Sequence, residues 1–302
     1  MLTRREFGVL TVGSLLVPQR IFAADSKIAG VQLGAQTYSF RALPRPADGN
    51  MVPTIIAALN EVGLNDCELY APQVEPVFSG GRGASPDAQK AARENLRKWR
   101  METPISHFQG VRKQFNSAGI SIFAYNYSFR DDFTDEEIDR GFEITKALGA
   151  GVITASTTLP VAARVAPFAE KHKMMVAMHG HSNTKDPNEF ATPESFAKAA
   201  QLSKLFKVNL DIGHFTAANY DPVAYIKEHH ANITNIHLKD RKKNQGDNVP
   251  WGEGDTPIRE VLQLLRKERW PIHAHIEYEY RGTGTPIEET KKCYAFARQA
   301  LA

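Results

Sequence analysis

Residues 205–240 read LFKVNLDIGHFTAANYDPVAYIKEHHANITNIHLKD. Two short apolar runs, 207–211 and 233–238, close on Asp211 and on His237, with Lys239 and Asp240 directly after. Between them Asp221-Pro222 sets a capping carboxylate before a proline at the first helical position. The cap pairs an otherwise orphaned amide, and a proline there loses no needed hydrogen bond. The stretch therefore reads as strand, polar loop, capped helix, strand, the repeating unit of a parallel α/β fold.

The same unit recurs outward in both directions. Strand candidates are 31–40, 66–70, 120–127, 152–156, 174–179, 207–211, 233–238 and 272–278, several of them nearly continuous apolar runs, as parallel strands covered on both faces require. Thr192-Pro193, Thr256-Pro257 and Thr285-Pro286 repeat the capping signal. Eight such units close most naturally into a (β/α)8 TIM barrel of about 250 residues. An open doubly wound sheet would be signalled by a G-x-G-x-x-G loop after the first strand, and none is there. The stretch from Tyr70 to Ile120 departs from the short-loop rule. It holds a Gly-rich segment, Ser79 to Gly83, and two helix-like stretches starting near Ser85-Pro86 and Thr103-Pro104. It is read as an enlarged second βα loop covering part of the site.

The 302 residues are 42% hydrophobic and 24% charged, ordinary for a soluble globular protein. A net charge of +3 from scattered Lys and Arg gives no basic tract, so a nucleic-acid partner is not implied. Cys67 and Cys293 stand outside any C-x-x-C pattern and read as small buried thiols. At the N-terminus, Arg4-Arg5-Glu6-Phe7 precedes an apolar stretch from Gly8 to Val17 and then Ala23-Ala24. This is the layout of a twin-arginine export signal over 1–24, leaving one catalytic domain over 25–302 in a periplasmic or secreted protein. The apolar stretch is short for a membrane span, so no stable span is expected once the signal is removed.

Four segments carry the chemistry: His179-Gly180-His181, Asp211 to His214, His237 to Asp240, and His275 to Glu277. Five of the ten histidines lie in them. In a barrel the C-terminal strand ends gather at one mouth, so His179, Asp211, His237 and Glu277 converge from strands five to eight. Two imidazoles and two carboxylates suit one divalent metal ion: Mn²⁺ first, then Zn²⁺, Co²⁺ or Fe²⁺. Glu68, ending the second strand, is a candidate for binding substrate hydroxyls. Tyr38 and Phe40 on the first strand and Trp251 in the seventh loop are candidates for stacking on the face of a bound substrate.

These segments resemble the xylose-isomerase-like barrels of the sugar phosphate isomerase/epimerase group, which also contains inosose dehydratases and ketose 3-epimerases. The resemblance spans the mature chain. It rests on V-Q-L-G-A-Q-T-Y-S-F, G-L-N-D-C-E-L-Y, L-D-I-G-H, I-H-L-K-D, W-G-E-G-D-T-P-I and H-I-E-Y-E. It implies a metal held by Asp211, His237, Glu277 and a residue ending the fifth strand, with His214 and Lys239 facing substrate oxygens. Epimerases of the group place Glu at that fifth-strand position, where this chain has His179, so a strict two-Glu 3-epimerisation is not expected.

The leading expectation is a metal-dependent sugar isomerase or epimerase working through an enediolate on a free or oxidised sugar. His179, His181 or Glu277 would move the proton, and Lys239 would supply fixed positive charge. One alternative is a metal-dependent lyase or dehydratase acting by β-elimination on a keto-sugar, keto-glycoside or cyclitol. The other is a non-catalytic sugar-binding barrel. In every case the partner is a small-molecule carbohydrate, and a homo-oligomer is compatible with the chain.

Overall fold

The computed structural model describes residues 25–81 and 83–302; the segment read as an export signal lies outside the described residues. Eight parallel strands follow one another around a closed barrel. They are β1 (Val31–Gln36), β2 (Asp66–Tyr70), β3 (Ser121–Asn126), β4 (Val152–Ala155), β5 (Met175–His179), β6 (Phe206–Asp211), β7 (Ile233–Leu238) and β8 (His273–Ile276). The last pairs back onto the first through Leu33 with Ala274, Gly34 with His275 and Ala35 with Ile276. A two-residue segment, Lys27–Ile28, adds antiparallel to β1. This is a (β/α)8 barrel, and all eight expected strands are present. The first ends four residues early, because the Gln36 side chain accepts the Tyr38 amide and turns the chain into a 3-10 turn, Thr37–Phe40.

The helices are α1 (Val52–Val62), α2 (Pro86–Glu102), α3 (Ile105–Ser117), α4 (Asp135–Leu148), α5 (Leu159–His172), α6 (Pro193–Leu202), α7 (Ile212–Ala217), α8 (Pro222–His229), α9 (Ile258–Glu268) and α10 (Pro286–Leu301). Thr192 and Thr285 close capping boxes, and Asp221 accepts from the amides of Val223 and Ala224. Thr256 does not cap α9. Its hydroxyl accepts the Arg241 amide instead, which draws it into the loop after β7.

Strand residues alternate in the second half of the barrel. Val208, Leu210, Ile236, Leu238, Ala274 and Ile276 join the apolar core against the helices. Asn209, Asn235 and His275 project inward with Glu68, and all four are fully buried. The barrel interior is thus a hydrogen-bonded polar core, whereas barrels of this type more often fill it with branched apolar side chains.

The enlarged second loop does not cover the site. Helix α2 lies against α4, and of its side chains only Arg100 is buried. The Arg100 guanidinium makes paired bonds of 2.8 and 2.9 Å to Glu75 and one of 2.8 Å to Glu137, and stacks 4.6 Å over the Tyr127 ring. Among the described residues, none between 71 and 120 lines the cavity at the barrel mouth.

Candidate metal centre at the barrel mouth

His179 ends β5, Asp211 ends β6, His237 is the fifth residue of β7, and Glu277 follows β8. Paired backbone positions explain how they meet. Asp211 sits opposite His237, whereas His179 is opposite Asn209, and His275 is opposite His237. His179 and Glu277 therefore enter from steps two residues out of line, as the stagger of a closed barrel demands. One donor atom from each of the four lies within 4.8 Å of the others, and all four residues are buried.

Each side chain is held by a specific neighbour. Asp211 uses Oδ1 to cap α7, accepting the His214 amide at 2.7 Å. Its Oδ2 takes no directed hydrogen bond, although the Lys239 ammonium approaches to 2.9 Å. Lys239 also meets Glu277 Oε2 at 2.9 Å and the Glu279 carboxylate. Burial disfavours all these charges, yet the pairing prevails. The Lys239 pKa is raised, and the Asp211 and Glu277 carboxyls are held below their usual range with Lys239 beside them.

The histidines divide by environment. Burial, with His237 and His181 nearby, pushes His179 down to about 3, so its imidazole is neutral. Its Nδ1 is buried and has no hydrogen-bond partner. His237 goes the other way: burial opposes its charge, but Glu68 and Glu277 flank its two nitrogens and hold it well above its usual value. Burial, with Lys239 adjacent, keeps His214 neutral. A neutral imidazole has one acceptor nitrogen. Arg241 donates to His214 Nδ1 at 2.6 Å, so the 3.1 Å approach of Lys239 to Nε2 is a contact and no hydrogen bond.

This donor set fits a divalent ion. Neutral His179 and ionised Asp211 each offer a buried atom without a directed hydrogen bond. His237 presents Nδ1 to the cluster, 3.0 Å from Glu277 Oε2, and keeps Nε2 for Glu68. Neutral His179, His237 once an ion displaces its Nδ1 proton, and two carboxylates are the ligand types of Mn²⁺ or Zn²⁺.

His179, His237 and Glu277 of the cluster form one wall of a cavity of about 740 Å³, with Asp211 behind them. Tyr38, His181, His214 and Lys239 line it as expected, and Tyr70, Arg130, Glu189 and Glu279 join them. His181 stands beyond His179, with ring centres 4.9 Å apart and Nδ1 3.7 Å from Glu189. Phe40 is buried in the core. Two substrate-binding expectations are corrected. Trp251 packs edge-on against Phe296 and lines a separate cavity of about 360 Å³ with Tyr280 and Cys293. Glu68 lies one layer beneath the ligands, fully buried and out of the cavity.

The sequence reading missed this lower layer. On Oε1, Glu68 accepts from Gln36 (2.5 Å), Thr154 (2.6 Å) and Asn126 (3.3 Å). On Oε2 it accepts from Asn235 (2.7 Å), His237 (2.8 Å) and Asn209 (3.2 Å). Deeper still, His275 and His273 donate to Asp66 Oδ1 at 2.8 and 3.1 Å, at the floor of the barrel. The signal was the alternation V-N-L-D, T-N-I-H and H-A-H-I-E, whose polar members at every second position share one face. Asp240 was also unassigned. It accepts the amides of Gly252, Gly254 and Thr256, and a Cβ at Gly254 would lie 1.8 Å from its Oδ1. The W-G-E-G-D-T-P motif thus folds a loop around a buried carboxylate.

Residues 56–300 match the model of the xylose isomerase-like TIM barrel family. The chain belongs to that family. Among solved structures, a sugar phosphate isomerase/epimerase from Parabacteroides distasonis is similar at 16% identity, with 88% of this chain and 95% of that one covered and a TM-score of 0.60. The probable 3-DHS dehydratase AsbF, involved in petrobactin synthesis, from Bacillus anthracis is similar at 17% identity, with coverages of 88% and 99% and a TM-score of 0.57. An IolI protein with a binding zinc atom is similar at 14% identity, with coverages of 90% and 96% and a TM-score of 0.59. No curated protein matches. In this xylose isomerase-like barrel, His179 gives the candidate cluster its second imidazole. No helix among the described residues is long and apolar enough to cross a membrane.

Proposed function

We propose that this xylose isomerase-like barrel is a metal-dependent enzyme that removes a proton beside the carbonyl of a carbohydrate, acting as an isomerase or epimerase through an enediolate. The observation that carries this reading is the cluster of His179, Asp211, His237 and Glu277, within 4.8 Å, on the wall of a polar cavity. A divalent ion held there supplies a Lewis acid for a carbonyl and its neighbouring hydroxyl. Lys239, buried and paired to three carboxylates, presents fixed positive charge at the same wall. Neutral His214 lines the same wall, with its Nε2 3.8 Å from Asp211 Oδ2. His181, uncommitted to the cluster, is the side chain that accepts the carbon-bound proton and returns it.

A second reading has its own support. The cavity extends past the cluster to Ser128, Arg130 and Asp131 after β3 and to Ser156, Thr157 and Thr158 after β4. That is room for a substituent beyond one sugar ring, and it favours a lyase that deprotonates beside a ketone and expels a β-substituent with help from His181. A solved relative named as a probable dehydratase is compatible with either reading. We place the protein outside the cytoplasm, on the strength of Arg4-Arg5 and the apolar stretch behind them. That placement favours an unphosphorylated sugar.

Incubation with keto-sugars and keto-glycosides in D₂O, followed by NMR, separates the readings. Deuterium uptake with every substituent retained supports isomerase or epimerase chemistry. Uptake accompanied by a released substituent assigns the lyase. No exchange on any keto-sugar, with stoichiometric metal bound, would remove the catalytic reading in favour of a binding barrel.

A further inference from the structure

We propose that Glu68 is a positioning residue for the metal centre: it decides which nitrogen of His237 keeps its proton when an ion binds and so sets how tightly the ion is held. The inference rests on the metal-binding reading of the mouth. His237 Nδ1 faces the ligand cluster, 3.0 Å from Glu277 Oε2. Its Nε2 faces two competitors beneath it. Glu68 Oε2 is 2.8 Å away and can only accept from it; Asn209 Nδ2 is 3.0 Å away and can only donate to it.

The two competitors impose opposite tautomers. If Nε2–H donates to Glu68, the proton an ion displaces is the one on Nδ1, and the lone pair it leaves faces the cluster. If Nε2 accepts from Asn209, the proton moves to Nδ1, where it points at Glu277 and blocks ligation. A carboxylate is the stronger partner for an imidazole N–H, which favours the first arrangement. Glu68 cannot swing away, because Gln36, Thr154, Asn126 and Asn235 anchor it from four other strands. It also gives the same amide an alternative acceptor, its own Oε2 at 3.2 Å.

The test is Zn²⁺ affinity of the full chain, by chelator competition at one pH, with thermal melting of the metal-free proteins as the folding control. Glu68→Gln is expected to weaken binding by about 10–100-fold, the usual range for losing a partner behind a ligating histidine. Glu68→Asp, which keeps the charge, is expected to recover part of that loss. The same Glu68→Gln change made on top of His237→Ala is expected to weaken binding no further, since Glu68 acts through that ring. Asn209→Leu leaves Glu68 in place and is expected to keep wild-type affinity. Unchanged affinity in Glu68→Gln, or a loss that persists in full without His237, overturns the proposal. So does a tenfold gain in Asn209→Leu, which would show that the amide had held Nε2 and kept the proton on Nδ1. Wild-type protein without a tightly bound ion overturns the metal reading itself, and this inference with it.

Discussion

The Lys239 ammonium stands 2.9 Å from Glu277 Oε2, and the same nitrogen is 2.9 Å from Asp211 Oδ2. Two of the four proposed metal ligands thus already share one positive charge of the protein. A divalent ion and Lys239 must share those oxygens, and each offsets the other's contribution. Lys239→Met leaves buried carboxylates unpaired, so the metal-free protein is expected to lose about 3–5 kcal/mol of unfolding free energy in urea. Zinc should then raise the melting temperature of this variant by more than it raises that of the wild type. An equal or smaller zinc shift would show that Lys239 and the ion do not share a site.

The ligand set predicts stoichiometry as well as affinity. Purified wild-type protein dialysed against Mn²⁺ or Zn²⁺ is expected to retain about one equivalent, measured by mass spectrometry. Asp211→Ala and Glu277→Ala each remove one buried carboxylate ligand and should retain less than about a tenth of that. Full occupancy in both variants would place the ion elsewhere in the molecule.

His179 predicts an acid-side slope. Its folded-state pKa is pushed down to about 3 from an ordinary 6.5. Below 6.5 the unfolded chain takes up a proton that the folded imidazole refuses, so this group's contribution to stability declines as pH falls from 6.5 toward 3. The decline is at most about 1.4 kcal/mol per pH unit. His237, raised by its two carboxylates, has the opposite sign: its contribution is intact below 6.5 and fades as pH rises through its folded value. In metal-free protein, His179→Gln should therefore flatten the stability profile between pH 6 and 4 relative to wild type. Parallel profiles for the two proteins would mean that His179 protonates in the folded state.

The barrel and its mouth were legible because their signals are local. Eight apolar runs, proline-marked helix starts and ligand-type residues after strands need only the chain itself. What lay beneath the mouth was less visible. Glu68 ends up just beneath the cavity, its carboxylate covered by Gln36, Asn126 and His237, which line it. Strand-end position alone does not reveal that depth. Trp251 was read as facing sugar since it follows β7, but the loop folds around Asp240 and carries the ring outward to Phe296. Thr256 stands before a proline, as a helix cap would, but that loop claims its hydroxyl. Side-chain partners across the barrel decide these cases, and no window of sequence contains them.

Helix α2 offers a prediction that separates stability from chemistry. Length and glycine content made the second loop look like a cover for the site, yet the structure moors it to α4 through one buried guanidinium. Arg100 is 7% exposed and joins Glu75, Glu137 and the Tyr127 ring. Burial opposes its charge, but Glu75 and the neighbouring groups raise its pKa, so it stays charged at any working pH. Arg100→Ala would leave Glu75 buried without its cation, while Glu137 keeps a 2.8 Å bond to Arg97. Breaking such a pair from one side costs about 3–5 kcal/mol. Because no described residue of α2 lines the mouth cavity, metal affinity and KM should stay near wild type while urea denaturation moves to lower concentration. Limited proteolysis should cut first within residues 74–104, since the freed helix buries little else. A raised KM with unchanged stability would return α2 to the role of a lid.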